Sequence, residues 1–306
     1  MRYFPTKLST AGFVLTGLAI LLAIVNAVCA LCGLGKGGRN GYTSTYWVRA
    51  SALLAIIIVF NSSYLAFFLG RDIRPQLQLP LHALGGDETF AQLAAFANLF
   101  GYLASATILQ SQFRLAFDLF SIRDKFAHQV AAAFFFISLA LTLSGFISTQ
   151  VWEHVKSSSD VPGLHPSAYA NNVLEFLLSF VLFLASVTTV IPNTRGGPRA
   201  TGANDTLTPK WASDFLLAAN ILTLIRQTWT VITNGMDDIP VLIDKRHPRY
   251  PPYFFLISMI FDVCFMAIVV TLLFFSARFG LRGREQIEER QPVSLEQYSE
   301  TREHFG

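Results

Sequence analysis

Charged residues are scarce in this chain: they make up 14% of 306 residues, where a soluble domain carries roughly a quarter. With 52% hydrophobic residues, such a chain cannot hide its apolar surface in one water-facing core. An ordinary soluble class is excluded, and lipid has to act as part of the solvent. The net charge of +3 is too small to argue for a nucleic-acid partner. Cysteine is also sparse. Cys29, Cys32 and Cys264 are an odd number, all in apolar segments, so no disulfide framework is expected. The Cys29–Cys32 spacing has no second pair, and helix packing accounts for it. No His pair has haem or zinc spacing, so no metal is expected. There is no Walker loop and no NDxxD pair. The acids Asp237, Asp238 and Asp244 do not complete a DDxxD motif, because position 241 is Val241. They read as a solvated acidic loop. No cofactor is implied.

What is present is a series of apolar runs. A helix crossing a bilayer needs about 20 apolar residues. Seven segments qualify: 9–31, 50–69, 90–112, 126–151, 169–191, 211–232 and 253–275. The third and sixth are the most polar; Asp214, Asn220, Arg226 and Gln227 all fall in the sixth. The first follows Arg2 and Lys7 but is longer than a signal-peptide core, so it reads as a span. The connections carry Gly, Pro and Ser, as in Gly196-Gly197-Pro198 and the four prolines between Gly235 and Pro252. The expected fold is an all-α, seven-transmembrane bundle over 1–278, followed by a polar, mobile tail over 279–306.

Lysine and arginine set the orientation. Arg2, Lys7, Arg71, Arg74, Lys156, Lys245, Arg246 and Arg249 lie on one side; fourteen others, from Lys36 to Arg302, lie opposite. The N-terminus is therefore expected to be lumenal or extracellular and the short C-terminal tail cytoplasmic. The sequon Asn204-Asp205-Thr206 then faces the cytoplasm and stays without glycan.

Polar groups in hydrocarbon are costly, so their depth is informative. At 1.5 Å per residue, Asn61, Asn98, Glu175, Arg226 and Asp262 fall in one layer, about 9 to 14 Å from the lumenal ends of their spans. Helical phase agrees. Asn98, Tyr102 and Ser105 share one face, as do Asn172, Glu175, Ser179 and Ser186. Thr223, Arg226, Thr230 and Thr233 share another, and Ser258 lies with Asp262. These faces should turn into the bundle. Ala97, Gly101 and Ser105, and separately Ala19, Ala23 and Ala27, have the small-residue spacing of close helix contacts. Arg226 pairs with Glu175 or Asp262 as an interhelical lock. One cation cannot neutralise two carboxylates, so one carboxyl is left to hold a proton. A neutral carboxyl in a dry pocket is a proton donor. Tyr64, Tyr102 and Trp229 lie near this layer, where aromatic faces would stabilise a passing cation.

Seven spans raise the receptor class. However, the seventh span has no lysine for a retinal Schiff base. Its end, Phe274-Phe275-Ser276-Ala277-Arg278, lacks NPxxY, and Ser121-Ile122-Arg123-Asp124 is not DRY.

A small, Phe-rich, seven-span chain with acids in two helices resembles the fungal membrane-bound terpene cyclases of meroterpenoid pathways, of the ascofuranone, ascochlorin and macrophorin type. The resemblance covers chain length, span count and the acids Glu175 and Asp262. It implies a proton-initiated cyclisation of a lipophilic, prenylated aromatic that enters from the membrane lipid, without metal or nucleotide. Glu175 or Asp262 would be the catalytic acid and Arg226 would fix the partner carboxylate. Asn61, Tyr64, Asn98, Tyr102 and Trp229 would line the substrate pocket. The endoplasmic reticulum or another endomembrane is then the expected location. The alternatives are a fungal seven-helix sensor at the plasma membrane, signalling through 114–125 and 278–290, and a small-molecule transporter.

Overall fold

The computed structural model describes residues 6–33, 43–72, 86–120, 122, 124–158, 166–195, 210–244, 257 and 260–290. Among them the secondary structure is entirely helical. Seven α-helices follow in order: α1 Thr6–Gly33, α2 Thr43–Asp72, α3 Gly86–Leu119, α4 Lys125–Ser158, α5 Pro166–Arg195, α6 Lys210–Asp244 and α7 Phe265–Arg290. A π-helical turn, Ile260–Cys264, leads directly into α7.

Local sequence accounts for several ends. Asp124 caps α4: its Oδ1 accepts a hydrogen bond from the Phe126 N–H at 2.9 Å, satisfying one orphan donor of the first turn. Its negative charge also suits the helix N-terminus. Proline opens α5 at Pro166, where a missing N–H costs nothing.

The helices exceed the apolar runs that seed them. α5 passes through Pro192 to Arg195, and α6 passes through Pro240 to Asp244. The segment from Gly235 was expected to be a loop; through Asp244 it is helix, so the acidic residues there belong to the end of α6. A proline near a helix end removes one N–H from the ladder without ending it. The last helix likewise runs to Arg290, into the segment read as polar tail.

Four helical stretches are long and apolar enough to cross a membrane: Lys125–Val151, Ala170–Ile191, Lys210–Met236 and Ile260–Gly280. α1 and α2 contain shorter apolar stretches among the described residues, Gly17–Ala30 and Thr45–Val59. The sixth segment, the most polar by sequence, is thus among the four. Asn220, Thr223, Arg226 and Gln227 turn inward, while Ile221, Ile225 and Ile232 are exposed on the outer side together with Asp214 and Thr228.

Consecutive helices pack against one another, and α7 closes the ring against α1 and α2. α3 touches α2, α4, α5, α6 and α7. Its run from Ala104 to Phe113 is buried throughout, as expected for a helix surrounded on all sides. The outer surface exposes Leu18, Leu21, Phe136, Ile147, Trp211 and many similar side chains. A surface of this kind suits lipid and not water. Cys29 and Cys32 are on it too, so they do not serve helix packing.

Lipid tails are as apolar as leucine, so these helices are held by close packing and interhelical hydrogen bonds. Ala19, Ala23 and Ala27 are buried, and Ala19 and Ala23 pack with Val59 and Val263. Asn26 Nδ2 donates to Thr271 Oγ1 at 2.7 Å, tying α1 to α7. Ser51 and Ser111 share a hydrogen bond of 2.8 Å between α2 and α3. Gln112 Nε2 donates to Thr223 Oγ1 at 2.7 Å, and Asn220 Nδ2 to the Thr189 carbonyl at 2.8 Å. Each such bond contributes about 0.6 kcal/mol on average in a membrane bundle, so several are needed to fix the arrangement.

Gly280 lies where α7 passes close to Leu119 of α3. A Cβ there would lie 2.7 Å from Leu119 Cδ2. The contact is the far end of a flexible side chain that can swing aside, so Gly280→Ala is expected to destabilise the bundle by about 1 kcal/mol, the low end of overpacking. Thermal unfolding in detergent checks this, with Gly17→Ala, which meets nothing within 4 Å, as the neutral comparison.

Candidate functional site

A cavity of about 230 Å³ opens between α2, α3, α5, α6 and the π-turn. α3 contributes Asn98, Gly101, Tyr102 and Ser105, α5 contributes Glu175, and α6 contributes Arg226, Gln227, Thr230, Thr233 and Asn234. Asp262, Val263 and Met266 close it from the side of α7, and Ile58 from α2.

The helical phases explain this convergence. Positions 98, 102 and 105 form one stripe of α3; positions 226, 230, 233 and 234 form one stripe of α6. Asp262 sits within the π-turn, where one extra residue in the hydrogen-bond ladder turns the backbone locally. Such turns recur at functional sites.

Arg226 is buried, 8% exposed, and its Nη1 donates to Ser105 Oγ at 2.8 Å. Its charge interacts with Asp262. No hydrogen bond joins it to Asp262 among the described residues. The expected pairing thus takes the form of a charge interaction with Asp262, while the guanidinium's hydrogen bond goes to Ser105 on the same cavity wall. Glu175 Oε1 accepts a hydrogen bond from the Tyr102 hydroxyl at 2.8 Å, and that hydroxyl accepts one from Asn234 Nδ2 at 3.0 Å. Three helices, α6, α3 and α5, are joined by this chain. Asp262 makes no hydrogen bond among the described residues, although it borders the cavity.

One cation and two acids face the same space. Uncompensated charge in a low-dielectric interior costs several kcal/mol per ion. The neutral form of this wall has one carboxylate balancing Arg226 and the other acid carrying a proton. The arrangement is chemically able to donate a proton from one carboxyl and accept one at the other.

Of the residues singled out by sequence, Asn98, Tyr102, Glu175, Arg226 and Asp262 meet on this cavity. Asn61 and Tyr64 lie on α2, but their side chains, like Ser258, fall outside the described residues. Trp229 is not on the described wall. It stacks on Phe261, ring centroids 5.0 Å apart at 17°, beside the π-turn. Only Tyr102 supplies an aromatic ring among the described wall residues, which are mainly polar. Gly101 was read as a helix contact; a Cβ there meets nothing within 4 Å, because the position faces the cavity. Asn234 was missed because the sixth segment was ended at Ile232. The signal was available: Asn234 lies eight residues after Arg226 and four after Thr230, on the same face.

Tyr102→Phe should remove both ends of the Asn234–Tyr102–Glu175 chain. A loss of about 1–3 kcal/mol in thermal stability is expected, because two interior hydrogen bonds, one of them to a charged group, are removed. The double variant with Asn234→Leu should lose less than the sum of the single changes if the two groups act as one unit.

No protein family, no curated protein and no solved structure matches this chain.

Proposed function

We propose that the chain is a seven-span membrane enzyme that cyclises a prenylated, epoxidised aromatic by proton transfer from Asp262. The observation carrying this reading is a carboxyl group on the wall of an interior cavity, without a hydrogen-bond partner among the described residues, opposite a second carboxylate held by Tyr102. Asp262 is the acid because nothing anchors its oxygens. Glu175 is the base, positioned by the Tyr102 hydroxyl. Arg226 keeps the wall near neutrality; its charge acts on Asp262, but its Nη1 hydrogen bond goes to Ser105.

The step balances without a co-reactant. The Asp262 proton goes to the epoxide oxygen, the carbon–oxygen bond breaks, and a tertiary cation forms. An internal double bond supplies the electron pair for the new carbon–carbon bond. The final cation loses a proton to Glu175, so product and substrate are isomers, and Glu175 gives up a proton as Asp262 takes one back before the next turnover. With one aromatic ring on the described wall, the passing cation is stabilised mainly by carboxylate charge. Small-molecule sites run from roughly 300 Å³ upward. The 230 Å³ cavity accordingly takes the reacting end of the prenyl chain and leaves the rest in the bilayer.

The remaining topology follows the charge distribution: seven crossings, a lumenal N-terminus and a cytoplasmic C-terminus in an endomembrane. Asn204 then stays unmodified. A mobility shift on glycosidase treatment of the expressed protein would reverse the orientation.

The enzymatic reading is tested by expressing the chain in yeast microsomes and supplying an epoxidised prenyl-phenol. A product of unchanged mass and new ring content, absent from control microsomes, is expected. Return of unreacted epoxide across a panel of such phenols counts against it.

A further inference from the structure

Glu175 borders a second space as well as the main cavity. A side chamber of about 40 Å³ lies between α3, α4 and α5. Asn98, Tyr102 and Glu175 belong to the walls of both, so they form the partition between them. Beyond the partition the chamber is bordered by Thr142 and Thr149 of α4 and by Asn171 of α5. Thr149 Oγ1 donates to Asn171 Oδ1 at 2.8 Å. Asn171 lies one turn from Glu175, four residues and about 6 Å nearer the start of α5. The chamber therefore leads from the carboxylate toward the end of the bundle where α5 begins and α4 ends.

An empty cavity is stable when its walls are apolar, whereas a polar one holds water. This chamber presents two hydroxyls, two amides, a phenol and a carboxylate. One water needs about 10–15 Å³ and two to four polar partners. The volume admits about three waters by the same measure.

We propose that the side chamber is a water-filled proton conduit, linking Glu175 through a short file of water to the Asn171–Thr149 pair and the aqueous side. A proton leaving the Glu175 carboxyl bonds to the first water. That water releases one of its own protons to the next, and the reverse sequence reloads the carboxyl. Tyr102 and Asn98 keep this water apart from the main cavity. The proposal deepens the cyclase reading, since a base that drains to water can pass on the proton of each turnover, matched by one that Asp262 takes up, without wetting the cation. It does not need that reading to be correct.

Gly145 provides the test. It borders the chamber, and a Cβ added to it would meet only Asn171 Oδ1, at 3.9 Å. Gly145→Val therefore adds bulk to the chamber wall, on the side of Asn171 Oδ1. The first measurement is X-ray hydroxyl-radical footprinting of the full chain in lipid nanodiscs. Labelling of Leu141 and Leu174 is expected in the wild type and should fall at least fivefold in Gly145→Val. The second is infrared spectroscopy after a pH jump, with the Glu175 band assigned by its loss in Glu175→Gln. The titratable and charged groups sharing the cavity with Glu175 are Tyr102 on α3, Arg226 on α6 and Asp262 in the π-turn; α4 contributes none among the described chamber walls. Tyr102→Phe and Asp262→Asn serve as band controls. The Glu175 band should respond in the wild type and at least tenfold more slowly in Gly145→Val, with Gly145→Ala between them. No labelling in the wild type, no response of the band, or an equal rate in the plugged variant would each overturn the conduit. Neither measurement uses substrate, so the conduit and the cyclase reading can fail separately. Unchanged thermal unfolding of Gly145→Val shows that the fold is kept; if it unfolds, Gly145→Ala carries both measurements.

Discussion

Asp262→Asn is expected to lower turnover of an epoxidised prenyl-phenol by about 100- to 10,000-fold, the usual contribution of a general acid. Asparagine keeps the size and polarity of aspartate but has no transferable carboxyl proton. The side chain makes no hydrogen bond among the described residues, so the change breaks no hydrogen bond that holds the bundle together and alters only the charge facing Arg226. A loss of activity with normal membrane insertion and unfolding temperature therefore reports on chemistry. Asp262→Glu should regain part of the rate, because the cavity has room for one more methylene. Glu175→Gln should behave differently. It leaves initiation intact and removes the acceptor for the last proton, so released products should shift toward water-quenched alcohols. Full cyclisation by both Asp262→Asn and Glu175→Gln would remove the mechanism.

Gly101→Phe should reduce turnover by at least about 100-fold by displacing the reacting end of the substrate, since misplacement of about 1 Å suffices for such a loss. This prediction concerns space and not protons. Gly101 lies on the cavity wall, and a Cβ built on it meets no atom within 4 Å. A benzyl group there enters empty volume and leaves the helix contacts in place. The unfolding temperature should hold, and Gly101→Ala should stay within a fewfold of the wild type. Wild-type turnover by Gly101→Phe would mean that the reaction takes place elsewhere in the chain. Together with the aspartate series, this separates a wrong site from a wrong acid.

The helical class was legible because a scarcity of charge and long apolar runs are averages over twenty residues, insensitive to local detail. The convergence of Asn98, Glu175, Arg226 and Asp262 was legible for a related reason. A polar group inside an apolar helix has few places to go, and a shared depth together with a common helical face almost determines its neighbours. Finer geometry was not. Whether Arg226 bonds to a carboxylate or to Ser105 depends on an arginine side chain with several rotatable bonds, and small shifts in helix rotation decide it. Trp229 was misplaced because phase places a residue on an arc of the helix, while its indole was claimed by Phe261. Gly101 misled because small residues at four-residue spacing serve both close packing and open space. The helix ends were underestimated in α5, α6 and α7, since prolines and charges that end an apolar run do not end the backbone ladder.

The π-turn before α7 holds one residue more than the ladder requires. In an α-helix each residue advances the side-chain direction by about 100°. A surplus residue confined to Ile260–Cys264 absorbs that advance locally, so Asp262 can be aimed independently of the helix that follows. Beyond it Met266, Val269, Val270 and Leu273 remain in phase with the rest of the core. The segment thus works as an indexing collar. Deleting a single residue upstream of Val263 would swing a different side chain toward the cavity while the seam of α7 stays engaged. The chain could in this way exchange the group it presents without rebuilding the bundle that carries it.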